Sequence, residues 1–180
     1  MTRDPVTSQL FESGLAKEMH TIVPAAPDDA PTILDIQRRA FAEEARLIDN
    51  WEIPPITEPL GDVVEHIHNQ TVLTARDGAR IIGSVRGIVA GTVCTIRGLS
   101  IEPAHQGRGI GSSLLEAIEI AHPQVTHFEL VTNSSMESNV RFYERHGYQV
   151  TGLTRYSDSI TLAQMRKTAV QVSGEDRDPP

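Results

Sequence analysis

The sequence predicts a mixed α/β fold in which helices flank a sheet that contains antiparallel strands. Three runs of apolar and β-branched residues, at 71–76, 80–89 and 92–101, are separated by the tight turns Asp77-Gly78 and Ala90-Gly91. This pattern is typical of neighbouring antiparallel strands. The third run leads into a glycine-spaced turn, after which apolar residues recur at helical spacing. At 180 residues the chain is long enough for one substantial core, so we expect a single domain.

Two helices are predicted in the first third of the chain, after a short strand at residues 21–23. Asp28 or Asp29 can cap the first helix, and Thr57 can cap the second. The proline-rich segment between these helices contains Trp51, the only tryptophan of the chain. This segment either forms one wall of a substrate site or is a rigid linker with Trp51 in the core.

The helix after the glycine-spaced turn is followed by a predicted strand at residues 126–132 and by a further helix. Ser134 and Glu137 have the spacing of a capping box for this further helix. Gly147 can close the same helix in the left-handed conformation. Two final strands are predicted at residues 148–153 and 157–165.

The two ends of the chain differ in composition from the predicted domain at residues 20–167. We expect an N-terminal arm or short helix at residues 1–19 and a charged, disordered tail at residues 168–180. No run of residues is long and apolar enough for a membrane span, and the N-terminus lacks a basic segment followed by an apolar one. We therefore expect a cytoplasmic protein without a membrane partner.

Charge and cysteine content exclude several classes of function. The formal net charge of −8 argues against nucleic-acid binding, which needs a basic face. Cys94 is the only cysteine, so an intrachain disulfide and a cysteine zinc site are excluded, and we expect its side chain to be buried. His66 and His68 lie two residues apart on a predicted helix and therefore face different sides, so we expect no metal site there.

The turn at Gly107, Gly109 and Gly111 has the chemistry of a phosphate site. Glycines let the backbone approach a ligand closely, and the first N–H groups of a helix have no internal partner. These donors and the positive end of the helix dipole bind phosphate or pyrophosphate. A Walker loop is excluded because no lysine follows the last glycine, and a Rossmann fingerprint is excluded because its third glycine is missing. Another kind of nucleotide-binding protein stays an alternative.

Two motifs connect this turn to a known family. The segment L-S-I-E-P at 99–103, followed by Q-G-R-G-I-G at 106–111, resembles motif A of the GNAT N-acetyltransferase superfamily. The segment Y-E-R-H-G-Y at 143–148 resembles the end of the fourth helix of that family. The resemblance covers residues 20–167. It implies the GNAT acyl-CoA N-acyltransferase fold, with a mostly antiparallel sheet and one splayed parallel strand pair flanked by helices.

The resemblance further implies that acetyl-CoA is the co-substrate and that no metal is needed. The strand before the turn would pair with the pantetheine arm, and the turn would wrap the pyrophosphate chiefly with main-chain N–H groups. Many relatives carry an asparagine that contacts pantetheine where this chain has Met136, and Asn139 would take over that contact here. The implied cofactor-binding residues are Leu99, Ser100, Ile101, Gln106, Gly107, Arg108, Gly109, Ile110, Gly111, Ser112 and Asn139.

Tyr143 matches the tyrosine that members of the family use as general acid. Its phenol would protonate the coenzyme A thiolate, a role that needs an O–H donor within hydrogen-bond reach of the sulfur. Some relatives carry the general base as a glutamate on the third antiparallel strand, and the predicted strand here contains none. The candidates for a general base are Glu43, Glu44, His127, Glu129 and a water chain.

The implied function is an acetyltransferase that moves the acetyl group of acetyl-CoA to a primary amine by direct attack. The acceptor would be a small-molecule or peptide amine that the sequence does not identify, and a homodimer would be in keeping with the family. The alternative function is a catalytically weak GNAT domain that binds acyl-CoA as a sensor or scaffold.

Overall fold

The computed structural model describes residues 20–158 and 160–170, so the predicted N-terminal arm and the predicted tail beyond residue 170 lie outside the described residues. The strands of the described chain are β1 (Thr21–Pro24), β2 (Thr71–Asp77), β3 (Arg80–Ala90), β4 (Val93–Ile101), β5 (His127–Asn133), β6 (Gln149–Arg155) and β7 (Thr161–Thr168). The helices are α1 (Ala30–Leu47), α2 (Pro54–Thr57), α3 (Leu60–Asn69), α4 (Ile110–Ile120) and α5 (Glu137–Arg145).

The strands form one seven-stranded sheet within the described residues, in the order β1-β2-β3-β4-β5-β7-β6. All neighbours are antiparallel except β4 and β5, which are parallel and are connected through α4. The predicted fold class is therefore confirmed, including the single parallel pair. The last two strands lie slightly later in the chain than the predicted ranges.

The parallel pair is joined at one end only. Val93 to Thr95 of β4 pair with His127 to Glu129 of β5, and no later residues of these two strands are paired with each other in the described chain. Beyond Thr95 the strands diverge, whereas β4 keeps its pairing with β3 up to Ile101. An open cleft therefore separates the C-terminal parts of β4 and β5.

Helices cover both faces of the sheet. Val72 of β2 is buried with Ile33 of α1 and Val63 of α3, whereas the next residue, Leu73, is buried in the cluster that contains Leu114 of α4. Successive side chains of a strand point to opposite faces. Helices α1 and α3 therefore cover one face, and α4 covers the other.

The starts of α1 and α3 differ in detail from the prediction. Asp29 holds the N-cap position of α1, but its carboxylate makes no capping bond; it accepts the N–H of Ala26 at 2.8 Å and pairs with Arg76 at 2.6 Å. The N-cap of α3 is Pro59 rather than Thr57, which instead ends the one-turn helix α2. Pro31 in the first turn of α1 and Pro59 at the N-cap of α3 have a fixed φ, which favours these starts without a capping side chain.

The start of α5 also differs from the prediction. Its N-cap is Met136 and no side-chain cap is made, so the predicted capping box of Ser134 and Glu137 is wrong. Both the backbone N–H and the hydroxyl of Ser134 donate to the carbonyl oxygen of Thr161, at 2.9 and 2.8 Å. Pairing with the neighbouring strand therefore takes the hydroxyl that a capping box would need.

The connection between α1 and α2 places its tryptophan at the surface. Trp51 is 54% exposed, so the interpretation with Trp51 in the core is wrong. Ile53 is buried instead, together with Ala45 of α1 and Ile160 before β7. This small apolar cluster attaches the C-terminal half of α1 to the β7 end of the sheet.

A charged network holds the connection between α2 and α3. The Glu58 carboxylate accepts Nε2 of Gln37 at 2.7 Å and Nη1 of Arg86 at 3.1 Å, and it lies 3.1 Å from Nε2 of His66. Burial raises the pKa of Glu58, but the hydrogen bonds from Gln37 and Arg86 outweigh this and hold the pKa below its ordinary value. The network therefore joins α1, β3 and α3 through one ionised side chain.

We expect Glu58→Gln to lower the free energy of unfolding by about 3 kcal/mol, because Arg86 would lose its ion-pair partner in a partly buried position. Urea denaturation at neutral pH measures the loss.

The effect should depend on pH. Because the pKa of Glu58 is lowered in the folded state, its ionised side chain contributes stability at pH values above the ordinary pKa of 4.5, and this contribution is lost as the pH falls through the folded-state pKa. The difference between wild type and variant should accordingly shrink on acidification. Glu65→Gln, at an exposed position of α3, is the control and should change the free energy by less than about 0.5 kcal/mol. Equal effects of the two substitutions would contradict the network.

Candidate active site

The N-terminus of α4 presents unused backbone donors. The first hydrogen bond into the helix runs from Ser113 N to Gly109 O at 3.1 Å. Within the described chain, the N–H groups of Ile110, Gly111 and Ser112 have no acceptor. Three adjacent N–H groups at the positive end of a helix form a binding site for an anion such as a phosphate group.

The three glycines of the predicted turn differ in backbone conformation and in what surrounds them. Gly107 and Gly109 have φ values of +77° and +80°, a conformation that side chains rarely adopt, and a Cβ at either position would point into open space. Gly111 has an ordinary φ, and a Cβ there would lie 3.4 Å from the ring of Phe142 on α5. The first two glycines leave the turn open to a ligand, and the third lies where α4 comes near Phe142 of α5.

Several predicted cofactor-binding residues use their side chains within the fold. The hydroxyl of Ser100 is buried and donates to Gly98 O at 3.2 Å, and the side chain of Ile110 is buried in the core. Leu99 also packs against the core, and Nε2 of Gln106 donates to Ile101 O at 3.3 Å. These side chains shape the strand and the turn. Recognition of a ligand here would therefore depend on main-chain groups, as the resemblance implies.

A bulge in β4 lies at the start of the cleft. The pairing of β3 and β4 shifts register near Gly98, which has a φ of +60°. Such a glycine bulge bends the strand and increases its local twist. A Cβ on Gly98 would lie 3.2 Å from Oε1 of Gln37 on α1, so the bulge and this helix are in close contact. Neither residue belongs to a motif of the sequence, although a glycine inside a strand pattern is itself a signal for a bulge.

The end of α5 positions Tyr143. Gly147 has a φ of +88°, and the backbone N–H groups of Gly147 and Tyr148 donate to Glu144 O at 3.0 Å and Tyr143 O at 3.1 Å. These two bonds form a Schellman motif, which confirms the predicted left-handed closure. The ring of Tyr143 packs edge-on against the rings of Phe142 and Tyr148. The position of the phenol is therefore determined by the helix end and by aromatic packing.

The phenol of Tyr143 stays protonated over a wide pH range. Burial raises the pKa of Tyr143 to about 12, and the negative charge of Glu44 on α1 adds to the shift. Within the described residues no group hydrogen-bonds to the phenol oxygen. The phenol can therefore donate its proton to an acceptor that is not part of the described chain.

Glu44 is the one candidate base that the fold brings near Tyr143. Burial raises the pKa of Glu44, and the side-chain amide of Asn133 at the end of β5 opposes part of this shift. Asn133 is 2% exposed, and its Nδ2 has no hydrogen bond of normal geometry within the described chain. Sequence analysis did not single out Asn133, because an asparagine at a strand end is most often a turn residue.

The other three side chains proposed as bases lie elsewhere. Glu43 is exposed. His127 and Glu129 belong to the paired, closed end of β4 and β5, where Glu129 accepts Nε of Arg166 at 2.8 Å. Asn139, predicted to contact pantetheine, lies one turn before Tyr143 on α5, as its spacing predicts.

No group of three histidine, cysteine, aspartate or glutamate side chains lies close enough together in the described chain to hold a metal ion. Cys94 is fully buried, as predicted, and burial raises the pKa of its thiol to about 11. No helix between residues 20 and 170, as far as these are described, has the length and apolar character needed to cross a membrane.

Comparison with known proteins adds a family to this geometry. The model of the acetyltransferase (GNAT) domain matches residues 56–169 of the chain. No curated protein sequence matches the chain significantly.

Solved structures similar to this one include three acetyltransferases. The yncA acetyltransferase of Salmonella typhimurium with its cofactor acetyl-CoA has a TM-score of 0.68 at 16% identity, over 90% of this chain and 98% of that one. The ribosomal-protein-S18-alanine N-acetyltransferase of Escherichia coli has a TM-score of 0.67 at 17% identity, over 89% and 100% of the chains. The paia N-acetyltransferase of Thermoplasma acidophilum with coenzyme A has a TM-score of 0.66 at 18% identity, over 83% and 99%. These likenesses show the shared fold.

We expect Gly98→Ala to destabilise the protein more than Gly91→Ala does. Both glycines have a left-handed φ, near +60°, so each alanine costs about 1–2 kcal/mol of backbone strain. Only at position 98 would the new Cβ also press on Oε1 of Gln37, whereas nothing lies within 4 Å of a Cβ at position 91. Urea denaturation of the two variants compares the losses. Equal losses would show that the contact between the bulge and α1 has no energetic weight.

Proposed function

Because the chain belongs to the GNAT acetyltransferase family, we propose that it transfers the acetyl group of acetyl-CoA to a primary amine, with Tyr143 as general acid. The observation that carries this proposal is the placement of two helix ends at one cleft. The unused N–H groups of α4 follow β4, and the phenol of Tyr143 on α5 follows β5, where these two strands diverge. The catalytic domain would be residues 20–167.

The turn and the start of α4 would hold the pyrophosphate of acetyl-CoA. The N–H groups of Ile110, Gly111 and Ser112 supply three donors, and the open space beside Gly107 and Gly109 lets phosphate oxygens approach the backbone. The anionic group therefore needs no lysine at this position. Within β4, the segment 99–101 would pair with the pantetheine arm through its main chain, and Asn139 would contact the arm from α5.

The reaction needs a proton donor at the sulfur that leaves. A thiolate is the leaving group when the acceptor nitrogen displaces it from the acetyl carbon, and protonation makes it leave more easily. Tyr143 suits this task because its raised pKa keeps the phenol protonated at neutral pH. Its phenol has no other hydrogen-bond partner within the described residues, so the proton is available to the sulfur.

The acceptor would enter from the α1 side of the cleft. The C-terminal half of α1 contacts the sheet through the cluster of Ala45, Ile53 and Ile160, while Trp51 is half-exposed nearby in the chain. A small-molecule or peptide amine would therefore meet the apolar surface of this cluster.

Gly109→Trp should abolish binding of acetyl-CoA, because the indole would fill the space beside the N-terminus of α4 that the phosphates need. Isothermal titration with acetyl-CoA measures this, and we expect the dissociation constant to rise at least about 100-fold. Gly91→Trp is the matched control: it has a similar left-handed φ and lies in the turn at the closed end of the sheet, so binding should be retained. Unchanged binding to the Gly109 variant would overturn the cofactor assignment.

Tyr143→Phe should lower kcat by about 100-fold or more at an unchanged dissociation constant for acetyl-CoA, because only the proton donor is removed. Release of free coenzyme A, followed across a panel of primary amines, gives the rate. Tyr148→Phe is the control, since its hydroxyl donates to Oε1 of Glu119 at 2.7 Å and has a structural role. That variant should lose stability and keep its kcat. A protein that binds acetyl-CoA but acetylates no amine would instead be the sensor or scaffold.

A further inference from the structure

Six carboxylates of the described chain are partly buried, and five of them have a cationic partner. Asp29 pairs with Arg76, Glu58 with Arg86, Glu102 with Arg39, Glu119 with Lys167, and Glu129 with Arg166. The sixth is Glu44 on α1, and no cation of the described chain pairs with it. A partly desolvated carboxylate without a cation is costly. Of the partly buried carboxylates in the described chain, Glu44 alone is therefore available for a cationic partner from outside.

The position of Glu44 is determined by the packing of two nearby residues of α1. Ala45 follows Glu44 directly, and Phe41 lies about one turn before it. Both pack in the apolar cluster that contains Leu162 of β7. Leu162 is the register partner of Asn133 in the adjacent strand β5. This contact brings the Glu44 carboxylate beside the Asn133 amide, at the open end of the cleft.

The groups that face Glu44 are neutral or acidic. The Asn133 amide lies on β5, and the Tyr143 phenol acts on Glu44 from α5. From β7 and the segment before it, the neighbours in the cluster are the apolar side chains of Leu162 and Ile160. Nδ2 of Asn133 is buried without a hydrogen bond of normal geometry in the described chain, so it is free to hold one carboxylate oxygen in place.

We propose that Glu44 binds the ammonium form of the acceptor and is the general base of the reaction, with Asn133 as its positioning residue. This assignment rests on the proposed acetyltransferase function. It selects one residue from α1, which no motif of the chain marks, and it specifies the acceptor as a cationic primary amine.

The acceptor ammonium loses two protons in the reaction. Glu44 takes one proton from the acceptor ammonium and later releases it to solvent. The neutral nitrogen forms the new C–N bond as the C–S bond breaks, and Tyr143 gives its proton to the sulfur. The second proton lost by the nitrogen restores the Tyr143 phenol. The products are the amide, free coenzyme A and one released proton.

The test compares Glu44→Gln with Glu43→Gln, its exposed neighbour on α1. With the most active primary amine of the panel, we expect Glu44→Gln to lower kcat/KM about 100-fold at pH 7, and Glu43→Gln to leave it within about threefold. A variant without the base can use only the neutral amine. The loss of kcat/KM relative to the wild type should therefore shrink about tenfold for each unit by which the pH rises towards the pKa of the amine. A merely structural role of Glu44 would give no such rescue.

Two further variants keep the test informative if glutamine disturbs the fold. Glu44→Asp retains a carboxylate at this position. The fall of kcat/KM on the acidic side of its pH profile (the acidic limb) should therefore remain, at a lower overall rate. Asn133→Asp retains the oxygen that accepts the N–H of Ser135 at 3.0 Å, but places a second carboxylate beside Glu44. Two adjacent carboxylates raise the pKa of one of them, so the acidic limb should move to higher pH.

The outcomes separate this proposal from the proposed function. Absence of acetyl-CoA binding, or of any amine acetylation by the wild type, would overturn the acetyltransferase function and the role of Glu44 with it. Amine acetylation that Glu44→Gln leaves unchanged at every pH would overturn the role of Glu44 alone. Loss at pH 7 with rescue at high pH would support it.

Discussion

The divergence of β4 from β5 is the constraint on which the rest of the structure depends. Parallel pairing of these strands stops after three residues, and the bulge at Gly98 bends β4 just beyond that point. Without the divergence, the two strands would satisfy each other's hydrogen bonds and leave no opening between α4 and α5. The cleft therefore costs strand pairing, and the pairing of β4 with β3, which resumes beyond the bulge, and of β5 with β7 makes that loss tolerable.

Helix α1 connects the scaffold of this cleft to its chemistry. One of its side chains, Gln37, touches the bulge and donates to Glu58, and two turns later Glu44 reaches the end of β5. The two carboxylates in these contacts, Glu58 and Glu44, differ in their partners. The charge of Glu58 is neutralised within the fold by Arg86, whereas the charge of Glu44 is not. Helix α1 thus contacts one carboxylate with a structural role, Glu58, through Gln37, and carries another, Glu44, that is available for function.

Two helix ends of opposite kind complete the site. The start of α4 offers donors that no residue of the described chain uses, and the end of α5 is closed by Gly147, which fixes the backbone beside Tyr143. The two helices come close together where Phe142 of α5 lies beside Gly111 of α4. Desolvation in this packed corner raises the pKa of Tyr143, so the packing that positions the phenol also keeps it protonated.

The sequence by itself determined the elements that depend on local chemistry. Turn dipeptides, glycine positions and helical spacing predicted the strands, the opening of α4 and the left-handed end of α5, because backbone conformation there depends on neighbouring residues. Only the tertiary structure decided where Ser134 and Trp51 lie, and which candidate base approaches Tyr143. Glu44 and Asn133 are far apart in the chain, and they meet because residues of α1 share an apolar cluster with Leu162, the register partner of Asn133. Such a contact depends on the summed burial of many apolar side chains, which no local pattern records.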